Sequence, residues 1–240
     1  DAADPFFKGM RSVLGVHNLP FMGAGSEAAF ERYGLPASRY PLMPWWGKKV
    51  PMPLGLQTAD RIVAVSETYA QEIMTPEYGY GLEPMLKARR KSVTGIVNGL
   101  DMEAWNPLTD EELKARFSAD TLNQRQQNKL ALLKEFSLHP DPGIPLLILI
   151  SRMDQQKGVD LAVEALEQVI LRDWQAILLG TGNPDLEQAC RKLGREYSGR
   201  IFAAIQFDTK LSRRMYAGGD ILLMPSRYEP CGLAQIMAMR

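Results

Sequence analysis

Residues 145–170, PLLILISRMDQQKGVDLAVEALEQVI, hold a run of five aliphatic residues, a polar turn with a glycine, and a stretch whose apolar residues recur at helical spacing. A short apolar run without alternation predicts a strand buried on both faces, and such strands belong to parallel sheets whose crossovers are helices. The same unit recurs downstream. WQAILLG (174–180) leads into DLEQACRKLGREY (185–197), RIFAAIQF (200–207) into KLSRRMYAG (210–218), and DILLMP (220–225) into a last amphipathic stretch ending at Arg240. A helical stretch near 122–136 precedes them. Apolar strands alternating with amphipathic helices predict an α/β, Rossmann-like domain covered on both faces.

Working toward the amino end, RSVLGVHN (11–18) and RIVAVS (61–66) read as buried strands, the second followed by the amphipathic ETYAQEIM, and VTGIVNG (93–99) is a further strand candidate. The first two were separated by a stretch with Pro36, Pro41, Pro44, Pro51 and Pro53 beside Trp45 and Trp46. That many prolines predict an irregular surface segment rather than a helix. The pattern changes near Asp101, and 240 residues are long enough for one large domain or two small ones.

Composition narrows the function. Hydrophobic residues make up 45% and charged residues 23%, values of an ordinary globular chain, and 28 basic residues balance 28 acidic ones. No overall field attracts nucleic acid or an anionic membrane, so any anion binding is local. Two cysteines are too few for a disulfide framework, and DAADPFFKGM (1–10) has neither the basic nor the apolar region of a secretory signal. A cytosolic, reducing setting is expected. Two histidines and two cysteines in no ligand spacing argue against a zinc site.

Ligands of open parallel sheets gather at the strands' carboxyl ends, which filters the candidates. His17, Ser66, Asn98, Ser151, Arg152, Gly180 and Glu229 all lie there. In SRMDQQKG (151–158), Arg152 and Lys157 stand at a helix start, where two cations and free amides suit a diphosphate, against the plainer reading of a solvated loop. LGTGNPD (179–185) has two glycines of a dinucleotide fingerprint but Asp185 at the third, so a tight turn before a helix is favoured. His17 reads by itself as a core histidine before a sugar ligand. His139 reads as exposed. Cys231 reads as a small packing residue. Glu229 is followed by Pro230, suited to a first helical position, and by Gly232, which lets a ligand approach the backbone. No G-x-S-x-G elbow is present, which leaves a serine hydrolase little to build on.

Taken in order, GVHNLPFMG, TADRIVAVSETYAQEIMTPEYGYGL, GIVNGLDMEAWNP, SRMDQQKGVDL, LLGTGNPDLE and PSRYEPCGLAQIMAMR resemble the bacterial glycogen synthases and plant starch synthases, retaining glucosyltransferases of the GT-B fold. The resemblance runs along nearly the whole chain. It implies two Rossmann-like domains, both incomplete here: 1–98 as the latter half of the acceptor-side domain and 99–240 as the first half of the nucleotide-sugar domain. It also implies glucose transfer from ADP-glucose to the non-reducing end of an α-1,4-glucan, with configuration retained and neither metal nor cofactor required.

By the same resemblance, Arg152 and Lys157 hold the donor diphosphate, Glu229 binds the donor sugar, and the amides around Cys231, Gly232 and Leu233 lie beside it. His17 meets the sugar from the first domain and Asn98 from the domain junction. The family's Lys-Thr-Gly-Gly-Leu and Thr-Gly-Gly-Leu motifs are absent from these 240 residues, which are therefore expected to be an internal fragment without turnover of its own. FMG (21–23) stands where the family usually has Tyr-Gln-Gly, and MPLG (52–55) lacks a lysine usual before the glycine. ADP-glucose and the glucan are the expected partners, with no nucleic acid and no membrane, in a bacterial cytoplasm or a plastid stroma. Two alternatives stay open: a retaining GT-B transferase that uses UDP-glucose, and a non-catalytic glucan-binding remnant.

Overall fold

The computed structural model describes residues 5–240. The chain forms two compact units, the first ending at Gly99 and the second spanning Leu100–Arg240.

In the second unit the strands β4 (Leu146–Ile150), β5 (Gln175–Gly180), β6 (Ile201–Ile205) and β7 (Ile221–Leu222) form a parallel sheet in the order β6-β5-β4-β7. Each crossover is a helix: α6 (Val159–Gln168), α7 (Pro184–Glu196) and α8 (Thr209–Gly218), with α5 (Arg125–Glu135) before the sheet and α9 (Leu233–Met239) after it. Alternate residues of β4 explain the layering. Leu147 and Leu149 join Val159, Ala162 and Leu166 of α6 and Leu186, Cys190 and Leu193 of α7 in one core. Leu146 and Ile148 join Leu132 and Leu133 of α5 and Leu211 and Met215 of α8 in the other. All six residues of β5 are buried, as expected of a central strand sealed on both faces.

The sheet carries its own end signals. Asn183 caps α7, its side chain accepting from the amides of Asp185 and Leu186, with Pro184 in the first turn. Asp208 caps α8 by accepting from Leu211 N at 2.8 Å. Both place a polar residue where the first helical amides lack intrahelical partners.

The first unit holds a parallel sheet in the order β1-β2-β3, from β1 (Val13–Val16), β2 (Arg61–Ala64) and β3 (Val93–Gly95). Its helices are α1 (Glu27–Arg32), α2 (Pro51–Thr58), α3 (Glu67–Glu72) and α4 (Glu83–Ala88). The core gathers Ile62 and Ala64 of β2 with Leu56, Tyr69, Ile73, Met85 and Leu86.

Two expectations change here. β1 is an edge strand, not a buried one: only Val16 is enclosed and Val13 is 65% exposed. The proline-rich stretch is more ordered than its composition predicts, with a 3-10 helix at Trp45–Lys49 and α2 beginning at Pro51. Pro51 and Pro53 lie in the first turn of α2, where a missing amide hydrogen costs no helical bond, and Met43 and Val50 are buried. Helices α1 and α4, six residues each, were not read from the sequence.

Candidate active site

The loop after β4 begins with Ser151 and runs to Gly158, the N-cap of α6. Asp154 organises it from within. One carboxylate oxygen accepts from the backbone amide of Lys157 at 2.9 Å, and the other meets the Arg152 guanidinium at 2.8 Å. Gly158 takes φ +64°, and a Cβ there would lie 2.0 Å from the carbonyl oxygen of Pro225. Only glycine lets the loop after β7 pass this close to the start of α6.

That close passage brings the two loops into register. Lys157 Nζ lies 2.6 Å from Glu229 Oε2, and Ser226 Oγ bonds the same carboxylate oxygen at 3.1 Å. The lysine and glutamate side chains are 20% and 22% exposed, so each is largely desolvated and compensated by the other. Ser151, Lys157, Ser226, Glu229 and Ala234 line a cavity of about 70 Å³ between the loops. Beside it, Arg152, Thr181, Gln206, Phe207 and Ser212 line a second cavity of about 220 Å³, which shares Ile150 and Ser151 with the first. A larger cavity, about 440 Å³, opens by Ser198, Gly199 and Ile201 at the amino end of β6, the wrong edge for ligands of a parallel sheet.

The turn after β5 is occupied by the protein's own anion. Glu187 of α7 accepts from Thr181 Oγ1 at 2.6 Å and from Gly182 N at 2.9 Å, and these bonds, the threonine's first, hold its carboxyl below the usual range. A carboxylate where a dinucleotide phosphate would sit agrees with the tight-turn reading of LGTGNPD.

Each expected residue has a definite place. Arg152, Lys157 and Glu229 fall on the two facing loops, with Arg152 turned toward Asp154. Cys231 is half-buried and Gly232 buried. The helix start differs from expectation: α9 begins at Leu233 with Gly232 as its N-cap at φ +82°, so Pro230 lies buried before the helix rather than at its first position. In the first unit His17 follows β1 and is exposed, which overturns its reading as a core histidine. β1 is an edge strand, and no packed layer receives the ring. The turn after His17 is anchored instead by Tyr69, 1% exposed, whose hydroxyl accepts from Leu19 N at 2.8 Å. Asn98 is half-buried in the coil after β3.

Sequence reasoning missed Phe207, Asp154 and Ser226. Phe207 was expected inside a strand, yet β6 stops at Ile205 and the ring is 85% exposed in the cavity that holds Arg152. The Asp208 cap directly after it was the available signal. Among the described residues no group of three or more His, Cys, Asp or Glu is arranged to hold a metal, and no helix is long and apolar enough to cross a membrane.

The chain is similar to known proteins in sequence and in fold. A family model described as the starch synthase catalytic domain matches residues 1–88, and one described as glycosyl transferases group 1 matches residues 144–240. A glycogen synthase from Anaeromyxobacter sp. is 44% identical over the whole chain, which covers 51% of that protein. Starch synthase 1 of Arabidopsis thaliana, described as chloroplastic/amyloplastic, is 38% identical over 98% of the chain and 38% of its own length. The solved catalytic domain of Arabidopsis thaliana starch synthase IV, bound to ADP and acarbose, superposes with a TM-score of 0.88 at 31% identity, over 99% of this chain and 51% of that one. The chain spans about half the length of the glycogen synthases it matches. With two parallel α/β sheets, these matches along its length and the loops that carry its motifs, the chain belongs to the glycogen synthase and starch synthase family of GT-B glycosyltransferases.

Proposed function

We propose that the whole protein carrying this chain transfers glucose from ADP-glucose to the non-reducing end of an α-1,4-glucan with retention of configuration. The observation that carries this reading is the Lys157–Glu229 pair, 2.6 Å apart on two loops at strand carboxyl ends, with Arg152 on the first loop. Without donor, cation and carboxylate neutralise each other. An arriving diphosphate competes for Lys157 and Arg152 and leaves Glu229 to accept hydrogen bonds from sugar hydroxyls, with the amides of residues 231–233 nearby. The exposed face of Phe207 offers the nucleotide base a stacking surface. His17 and Asn98 are assigned to the sugar from the first unit, and no cofactor is invoked.

In this reaction the bond between glucose C1 and the diphosphate oxygen breaks, and a bond from C1 to the glucan 4-hydroxyl oxygen forms. The acceptor proton leaves with the departing phosphate. Negative charge grows on that leaving group, so preplaced cations stabilise the transition state more than the bound donor. GVHNLPFMG contains no carboxylate to form a covalent glucosyl intermediate, which favours a front-face route through an oxocarbenium-like state over the two-carboxylate scheme of retaining glycosidases. The two units serve as the latter half of the acceptor domain and the first half of the donor domain, and residues 1–240 alone are expected not to turn over. The proposed setting is a bacterial cytoplasm or a plastid stroma, a choice in keeping with one bacterial relative and one described as chloroplastic/amyloplastic.

The test is kinetic. In the whole protein, Glu229→Ala and Lys157→Ala are each expected to lower glucose transfer by about 10²-fold or more, as loss of a preorganised electrostatic contact does. Near-normal turnover in both sinks the assignment, and faster transfer from UDP-glucose than from ADP-glucose overturns the donor.

A further inference from the structure

Arg227, two residues before Glu229, makes a set of contacts that none of the proposed donor chemistry uses. Its guanidinium forks onto both oxygens of Asp160 in the first turn of α6, at 2.8 and 2.7 Å, and also donates to Gln155 O at 2.8 Å. Its backbone amide bonds Gln156 O at 2.9 Å, and Gln156 Nε2 reaches Tyr228 O at 3.5 Å. Every partner belongs to the loop that carries Arg152 and Lys157, or to the helix that loop starts. Arg227 hydrogen bonding lowers the Asp160 carboxyl below its usual range, and the same pair raises the guanidinium.

We propose that Arg227 is a positioning residue: with Asp160 it clamps the Glu229 loop onto the Arg152–Lys157 loop and so sets the distance between the sugar-binding carboxylate and the diphosphate-binding cations. This rests on the donor-site reading above. The side chains are 40% and 35% exposed, and an ion pair so close to solvent contributes little to folding stability. Its forked geometry, by contrast, fixes both distance and angle, which a lysine cannot do. The clamp therefore acts on turnover more than on the fold. A diphosphate is held by the first loop alone, whereas transfer needs both loops in register, and a misplacement near 1 Å can cost up to about 10²-fold.

The experiment compares Arg227→Lys, Asp160→Asn, the double variant and Glu229→Ala in the whole protein. It measures kcat and KM for ADP-glucose, ADP affinity by calorimetry, and the urea midpoint. Each clamp variant is expected to lower kcat about tenfold or more, with ADP affinity within about threefold and the midpoint nearly unchanged. The double variant is expected to match the singles, because both remove one contact. Clamp variants with kcat within twofold of wild type, while Glu229→Ala is inactive, overturn the clamp and leave the donor site standing. Variants that unfold or lose several kinetic and stability properties together show a structural role and overturn it as well. Normal turnover in Glu229→Ala would instead bring down the donor-site reading beneath it.

Discussion

Asp220→Ala and Lys129→Met remove opposite partners of one ion pair, and their costs are expected to differ widely. Lys129 sits on α5 with its side chain 6% exposed; its Nζ lies 2.6 Å from Asp220 Oδ2 and donates to Pro142 O at 2.8 Å. The Asp220 side chain is 40% exposed and also accepts from Leu146 N, at the start of β4, at 2.8 Å. Removing the carboxylate leaves an enclosed ammonium with one carbonyl partner and strands the Leu146 amide. Breaking a buried pair from this side costs roughly 3–5 kcal/mol, and the water that reaches Asp220 moves the expectation to the lower end, about 3 kcal/mol. Lys129→Met keeps volume and apolar stem, and the carboxylate left behind retains water and the Leu146 amide. About 1 kcal/mol or less is expected there. Urea titration of the chain followed by circular dichroism measures both, read by linear extrapolation with unchanged slope. A methionine variant that costs as much as the alanine variant, or more, would refute the argument that burial of the cation decides the asymmetry.

Two further outcomes follow from a close backbone approach and from a hydrogen-bonded carboxylate. Gly158→Ala combines a left-handed φ with a Cβ placed 2.0 Å from Pro225 O, for a combined cost of about 2–4 kcal/mol, while Gly99→Ala, with nothing within 4 Å of its Cβ, is expected to be nearly neutral. Equal urea midpoints for the two would contradict the packing of the loops. Asp60 is held at about 2, down from the ordinary 3.8, by the Ser12 amide first and then by Arg11 and the Ser12 hydroxyl. Its folded pKa lies below the unfolded one, so its stabilising contribution is present above about pH 4 and is lost as pH falls toward 2. Asp60→Asn should therefore narrow the gap between unfolding midpoints at pH 5 and pH 2.5, and an unchanged gap would assign the acid sensitivity elsewhere.

The parallel sheet of the second unit was legible because its strands are apolar on both faces. LLILI and QAILLG need no partner to be recognised, and the residues just beyond them fall at carboxyl ends by direction alone. Arg152, Lys157 and Glu229 could therefore be singled out as candidates, while their roles came from the family resemblance. The first unit was harder to read. Its edge strand β1 buries only Val16, its helices α1 and α4 are six residues each, and prolines that argue against helix in general are compatible with the first turn of α2.

Composition and periodicity by themselves determined the α/β class, the order of strands and helices along the second unit, and the loops on which its polar candidates lie, because burial on two faces and chain direction are properties of local sequence. Only the tertiary structure decided which of those polar residues meet. Lys157 and Glu229 are 72 positions apart, and their 2.6 Å separation depends on β7 pairing beside β4, on a glycine that admits Pro225, and on the Arg227 fork to Asp160. It also decided that His17 is exposed and that Phe207 leaves its strand, since both depend on which neighbouring layer is present to receive a ring. Long-range pairings of this kind are set by the packing of whole elements, and no local window of sequence contains them.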